Sequence, residues 1–139
     1  MCFLKQISQC AVIFGLSVLF LGVSFSAEKS HVFFTAPDDQ TVVNSPVKVV
    51  MGVAGFIVEP AGAVKAGAGH LHIMVDTDCV AAGALVPKDA THLHYGKGQM
   101  EAEIALTPGA HTLCLQAADG AHIALSGDGM TQKIAIVVK

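Results

Sequence analysis

Two His-x-His pairs stand out in the sequence as residues whose spacing could bind a metal ion. His70 and His72 form the first pair, and His92 and His94 form the second. Side chains two residues apart on a β-strand point to the same side, with Cα atoms roughly 6–7 Å apart. Two imidazoles at that spacing can bind one ion through bonds of about 2.0–2.1 Å. If the two strands are neighbours in one sheet, all four rings share one patch.

Two further residues are candidate ligands for the same ion. Met74 falls on the same predicted strand face as His70 and His72, and His122 lies in a Gly-rich segment that could fold over them. Imidazole suits zinc, copper, nickel and iron, and a nearby thioether favours copper. The sequence therefore predicts a site for copper, or alternatively zinc, whose affinity falls as the pH drops and imidazole is protonated. The predicted ligands are His70, His72, His92, His94, His122 and Met74.

A non-metal interpretation of the same residues stays open. A histidine pair on a strand is also typical of a solvated polar face, or of a network that links loops in a structural or interaction module. His31 and His111 stand apart from the pairs, at the ends of predicted strands, and are interpreted as structural. Asp76 either supports a histidine ligand or caps the end of its strand.

Catalysis is the less favoured hypothesis. Copper/zinc superoxide dismutases also carry a His-x-His pair on a β-strand, but this chain lacks their long His-rich zinc loop, so redox catalysis is only a distant alternative. The serines that follow residue 26 fit no nucleophile-elbow pattern. Glu101 and Glu103 share a strand face, where solvent and Lys97 are the expected neighbours. The sequence predicts a binding protein rather than an enzyme.

The elements that position these residues are predicted to be strands. Alternating or β-rich stretches are separated by turn signals, and no stretch shows helical periodicity. This pattern predicts an all-β fold, an antiparallel β-sandwich of immunoglobulin-like architecture. Residues 59–69, rich in Gly and Ala, are expected to form a flexible loop, and residues 107–110 a tight hairpin turn. The predicted strands are 31–35, 46–53, 70–76, 91–95, 100–106, 111–117 and 131–139.

The N-terminus has the layout of a secretory signal peptide. A charged end with Lys5 precedes an apolar run over residues 10–23, and the small residues Ser24 and Ser26 follow it. This order predicts cleavage after Ser26, which leaves one domain over residues 27–139. A retained membrane anchor is the alternative, although the run is shorter than the roughly 20 residues that a spanning helix needs.

Cysteine usage and charge limit the compartment and the partners. Two cysteines fall in the signal segment, and the remaining pair, Cys79 and Cys114, predicts a disulfide in an oxidising compartment. A thiolate that ligates metal is the alternative. The net charge is −3 and all basic residues are lysine, so nucleic-acid binding has no electrostatic basis. The mature protein is expected in the periplasm or outside the cell, free of the membrane.

Several ordered blocks resemble a known family. The blocks are residues 69–76 (GHLHIMVD), 91–101 (THLHYGKGQME), 108–113 (PGAHTL), and 119–122 (DGAH), together with 36–47 near the start. They are similar to the bacterial domain-of-unknown-function family 4399, whose members are small exported proteins. The sequence departs from the family pattern at Leu71, where a histidine is usual, at Tyr95 for Phe, and at Met100 for Thr. The resemblance implies export and the fold, and it assigns no activity.

Overall fold

A computed structural model describes residues 29–139 of the chain. Within these residues the protein consists of nine β-strands and contains no helix, which confirms the all-β prediction. Consequently none of the described elements is a helix that could span a membrane. The predicted signal peptide, residues 1–26, lies outside the described residues.

Seven of the strands correspond to those expected from the sequence, with ends that differ by one or two residues. The two additional strands are very short and offer little sequence signal. The strands are β1 (His31–Ala36), β2 (Thr41–Val43), β3 (Val47–Ala54), β4 (Ile57–Val58), β5 (Ala68–Val75), β6 (His92–Tyr95), β7 (Glu101–Ile104), β8 (Gly109–Ala118) and β9 (Thr131–Val138).

The strands form two sheets. The smaller sheet has the order β1-β3-β7, and the larger has the order β2-β9-β8-β5-β4, with β6 also paired to β5. One edge of β5 is shared, because β4 pairs with its first two residues and β6 with residues 71–74. The predicted antiparallel arrangement is confirmed for five of the seven strand pairs of the described residues, whereas β2–β9 and β4–β5 run parallel. β2 and β9 are far apart in sequence, and β4 has only two residues, so local turn signals do not reveal these pairs.

The main core lies between the two sheets. Alternation on β3 buries Val47, Val49 and Met51, and these side chains belong to the same apolar cluster as Leu71 and Ile73 of β5. Burying a large apolar side chain contributes roughly 1.5–3 kcal/mol. This cluster fixes which side of β5 faces inward, and it therefore turns the histidines of β5 to the opposite side.

The connection from β7 to β8 is not the predicted tight hairpin. β7 pairs with β3 in the smaller sheet, whereas β8 lies in the larger sheet, so residues 105–108 carry the chain from one sheet to the other and residues 109 and 110 already pair with β9. The backbone N–H of Leu106 donates to Ser45 Oγ at 3.1 Å, which holds the end of β7 beside the start of β3. Pro108 has no N–H with which to continue a ladder toward β8.

The outer side of β5 and β8 is covered by two loops, 76–91 and 119–130. A second apolar cluster of Met74, Val86, Cys114, Ala118 and Ala124 fills part of the space beneath them. The predicted disulfide is present there, because Cys79 of the first loop is bonded to Cys114 of β8, with Cα atoms 5.6 Å apart. Both sides of β5 are therefore buried, and its histidines are shielded from solvent.

Candidate metal centre

His70 and His72 lie on the central strand β5 and form the buried floor of the site. Leu71 and Ile73, which alternate with them, point into the main core. Both histidines are completely buried, at 0% exposure, and their Nε2 atoms lie 2.9 Å apart. The predicted alternation of β5 thus places the first pair on one side, as the spacing requires.

His94 reaches the same place from β6. The two strands are antiparallel neighbours, and His94 is directly opposite His72. The ring centroid of His94 lies 4.9 Å from that of His70 and 5.1 Å from that of His72. Gly96 leaves room for this ring, because a Cβ at that position would lie 2.2 Å from the His94 ring. The arrangement matches the expectation that the two His-x-His strands are neighbours.

His122 completes the group from the loop that follows β8. Its ring centroid is 4.8 Å from that of His70, and its Nε2 lies 3.1 Å from Nε2 of His94. The backbone at His122 is left-handed, with φ of 68°. Few residues other than glycine adopt this conformation, and such strain is typical of functional sites. Asp119 shapes the turn by accepting hydrogen bonds from the N–H groups of Ala121 and Ile123.

Three of the four rings have the spacing of ligands around a small ion. Nitrogen atoms of His70, His94 and His122 all lie within 4.8 Å of one another, close enough to bind a metal ion. Nitrogens bonded to one tetrahedral ion at 2.0–2.1 Å are about 3.3–3.4 Å apart. The Nε2 pairs at 2.9 and 3.1 Å are slightly closer than this, so small ring movements would admit an ion.

The structure does not bring His92 and Met74, two further predicted ligands, into this group. His92 donates from Nδ1 to Asp89 Oδ1 at 2.9 Å, and this bond fixes its ring at the start of β6. Met74 packs with Cys114 in the second apolar cluster. The group of rings described by the structure is therefore His70, His72, His94 and His122, and within it His70, His94 and His122 are the three close enough together to bind one ion.

The surroundings keep the imidazoles neutral. Burial, together with the neighbouring rings of His122 and His94, lowers the pKa of His70 to about 4. Burial and the rings of His70, His94 and His122 lower the pKa of His72 to about 3. Burial, then His122 and Lys88, also lower the pKa of His94. Near pH 7 these three rings carry lone pairs that can bind a cation, because only neutral imidazole ligates metal.

Protein groups alone do not satisfy the two buried rings. Nδ1 of His70 and Nδ1 of His72 have no hydrogen-bond partner among the described residues. A buried polar atom without a partner costs about 1–3 kcal/mol. The two unpartnered Nδ1 atoms therefore lower the stability of the protein.

The remaining histidines lie apart from the site. His111 donates from Nδ1 to Asp76 Oδ2 at 2.7 Å and from Nε2 to the Thr107 carbonyl at 2.8 Å. Both partners are acceptors, so both ring nitrogens carry protons, and these bonds raise the pKa of His111. Asp76 thus holds His111 at the end of β5 and does not contact the imidazole group. His31 bonds the Lys29 carbonyl at 3.0 Å.

The Gly- and Ala-rich residues 59–69, expected to be a flexible loop, are hydrogen-bonded to both neighbours of the site. The N–H of Ala61 donates to the Gly96 carbonyl, and the N–H of Gly62 donates to the Gly120 carbonyl, each at 2.9 Å. A Cβ at Gly120 would lie 2.2 Å from the Ala63 carbonyl oxygen. Glycine is therefore needed there for close backbone approach. This loop ties the turn after His94 to the loop that carries His122, a role that sequence reasoning missed.

Replacing Gly96 with alanine tests whether the His94 ring must occupy its present position. We expect Gly96→Ala to displace the ring and to weaken metal binding about 10- to 100-fold, the range found for groups that orient metal ligands. Isothermal titration with Zn²⁺ measures the effect, and Lys97→Ala, at the exposed next residue, is the matched control. Equal affinity in Gly96→Ala and the wild-type protein would mean that metal binding does not require the present position of the His94 ring.

Comparison with known proteins identifies a family but no activity. A family model described as "Domain of unknown function (DUF4399)" matches residues 49–139. No curated protein and no solved structure matches the chain. The matched region runs from β3 to the C-terminus and includes every histidine of the imidazole group.

Proposed function

The chain belongs to the DUF4399 family, and we propose that it is an exported protein that binds one metal ion, preferably copper, within its imidazole group. One observation carries the proposal. Two strands and a loop that are distant in sequence bring the rings of His70, His72, His94 and His122 together, with centroids 4.7–5.8 Å apart.

The preference for copper follows from the chemistry of the ligands. The group offers only imidazole nitrogen, without a thiolate or a carboxylate in the set. For a given nitrogen site, affinity among divalent first-row ions is highest for Cu²⁺ and lower for Zn²⁺. Zinc is therefore the second choice.

Binding rather than catalysis is the proposed role. His72 is proposed as the fourth ligand beside His70, His94 and His122, because its Nε2 lies 2.9 Å from that of His70. Four imidazoles would fill the coordination sphere of a tetrahedral ion, whereas catalytic sites keep one position open for water or substrate. His70 and His72 are also inaccessible to a substrate, since both are fully buried. The function that fits these features is the holding or carrying of a metal ion.

The proposed location is the periplasm or the extracellular space. Residues 1–26 have the features of a signal peptide, and the Cys79–Cys114 disulfide is typical of oxidising compartments. We propose that residues 27–139 form a single domain. The two sheets and their common core support an immunoglobulin-like sandwich as its architecture.

A structural network without metal is the second candidate. It is favoured by the close Nε2 contacts of His72 with His70 and of His122 with His94, which could be ring-to-ring hydrogen bonds. The unpartnered Nδ1 atoms of His70 and His72 weigh against it, because a network selected for stability would satisfy them.

Metal titration of the mature domain separates the two candidates. We expect the wild-type domain to bind one Cu²⁺, and a variant with all four clustered histidines changed to alanine to lose this binding. His31→Ala, which removes an imidazole away from the site, is the control and should bind like the wild type. Unchanged affinity in the fourfold variant would disprove the metal site and leave the network.

A further inference from the structure

We propose that the Cys79–Cys114 disulfide sets the metal affinity of the imidazole group by positioning His122, so that opening it with a dithiol reductant releases the ion. This inference rests on the proposed function, because it treats His122 as a ligand. The disulfide and His122 are linked by a continuous series of contacts through the loop over β5 and β8.

The first contacts fix the start of that loop. Cys79 is bonded covalently to Cys114 in the middle of β8. The next residue, Val80, is held by the buried amide of Gln116. Its N–H donates to Gln116 Oε1 at 2.8 Å, and Gln116 Nε2 donates to the Val80 carbonyl at 2.8 Å. The disulfide and the amide together fasten the loop to β8.

The next contacts connect the fastened loop to the backbone around His122. The N–H of Gly83 donates to the Ala124 carbonyl at 2.8 Å, and the N–H of Ala124 donates to the Ala84 carbonyl at 2.9 Å. The N–H of Val86 donates to the carbonyl of His122 itself at 2.8 Å. Residues 83–86 therefore act as a partner strand for residues 122–124.

His122 depends on this support more than the other three histidines do. His70, His72 and His94 are fixed by the ladders of β5 and β6. His122 lies on a loop and keeps a left-handed backbone conformation that is uncommon for residues other than glycine. Without the ladder from residues 83–86, the backbone can relax and carry the ring away from His94. The ion then loses one of its nitrogen ligands.

The redox step is an ordinary thiol–disulfide exchange. A thiolate of the dithiol attacks the sulfur of Cys79, which is partly exposed, whereas Cys114 is completely buried. The S–S bond breaks, Cys114 leaves as a thiolate and takes up a proton, and a mixed disulfide forms on Cys79. The second thiol of the reductant displaces Cys79 as a thiol. The protein gains two electrons and two protons, and the dithiol becomes a disulfide.

Zinc affinity in four proteins tests the inference, since Zn²⁺ has no redox chemistry of its own. The proteins are the oxidised wild type, Cys79→Ala/Cys114→Ala, His122→Ala and the variant that combines all three changes. We expect removal of the disulfide to weaken Zn²⁺ binding about tenfold or more, within the range known for groups that orient ligands. In the His122→Ala background, removal of the disulfide should have no further effect, because the ligand that it positions is already absent.

The possible outcomes separate this inference from the proposed function. If the oxidised wild type does not bind Zn²⁺ or Cu²⁺, the metal site itself is wrong. If it binds but the cysteine variant binds equally well, or if the loss is the same in both backgrounds, the positioning role of the disulfide is wrong. Circular dichroism checks that each variant folds.

A second variant covers the case in which the protein without its disulfide does not fold. Gln116→Leu keeps the disulfide but removes both hydrogen bonds to Val80. We expect a smaller loss of Zn²⁺ affinity than in the cysteine variant, and again no further loss in the His122→Ala background. Wild-type affinity in Gln116→Leu, together with a cysteine variant that does not fold, would overturn the inference.

Discussion

The metal-free protein should lose about 2 kcal/mol of its free energy of unfolding when the pH falls from 6 to 5. In the folded protein the pKa of His70 is about 4 and that of His72 about 3, both below the ordinary value of 6.5. Between the folded pKa values and 6.5, the two histidines take up protons in the unfolded chain but not in the folded protein, so acid favours unfolding. Each histidine contributes up to about 1.4 kcal/mol per pH unit.

The sign and the range of this effect are specific. The free energy of unfolding is highest above pH 6.5, where the histidines are neutral in both states. It decreases as the pH falls below that value, and the loss due to His70 levels off near pH 4. His111 acts in the opposite sense, because its raised pKa stabilises the protein at low pH and that stability is lost as the pH rises through the folded value. Urea unfolding at pH 7, 6, 5 and 4.5 measures the dependence. A free energy of unfolding that stays constant from pH 6 to 5 would show that the two rings are not buried as neutral imidazoles.

Replacing both buried histidines with leucine should abolish metal binding and stabilise the metal-free protein in acid. His70→Leu/His72→Leu removes two ligands, so we expect Cu²⁺ affinity to fall more than about a hundredfold, beyond the range for groups outside the coordination sphere. It also removes two buried nitrogens that lack partners, and apolar groups of similar size make such a replacement neutral or favourable.

The leucine variant also serves as the control for the pH experiment. Its free energy of unfolding should change little between pH 6 and 5, so the difference between the variant and the wild type should grow by about 2 kcal/mol in favour of the variant over that range. Copper titration and urea unfolding of the same samples measure both properties. If the variant is less stable than the wild type at pH 7, the histidines support the fold, and the network hypothesis is favoured over the metal site.

The sequence predicts the strand-borne part of the site because strand alternation is local information. His70 and His72 on one side of β5, and His94 opposite His72, follow from period-two patterning once β5 and β6 are neighbours. The position of His122 is different. It depends on a left-handed turn, on Asp119 and on the pairing of residues 83–86 with 122–124, and the sequence predicts only that the Gly-rich segment with His122 could fold over the pairs.

Competing local contacts explain the predicted ligands that the structure leaves out. His92 has the same spacing as His94, but Asp89, three residues earlier, accepts a hydrogen bond from its ring. Met74 alternates correctly, but it lies opposite Cys114 on β8 and joins the apolar cluster around the disulfide. Spacing assigns a side chain to a strand face, whereas neighbours from other elements decide which partner it meets.

Local sequence patterns also do not predict the order of the strands in the sheets. β2 and β4 are only three and two residues long, too short for alternation to be recognised. Residues 107–110 have the composition of a tight turn, yet β7 finds its partner in β3 rather than in β8. Long-range pairing overrides turn composition in this part of the chain.

The parallel pairing of β2 with β9 delays completion of the larger sheet until the whole chain is available. Residues 41–43 meet residues 136–138, so the two partners lie at opposite ends of the described chain. A contact that closes so long a loop slows folding, because chain entropy must be lost before the contact forms. Removal of the last four residues would expose the edges of β2 and β8 together, and such unpaired edges promote aggregation.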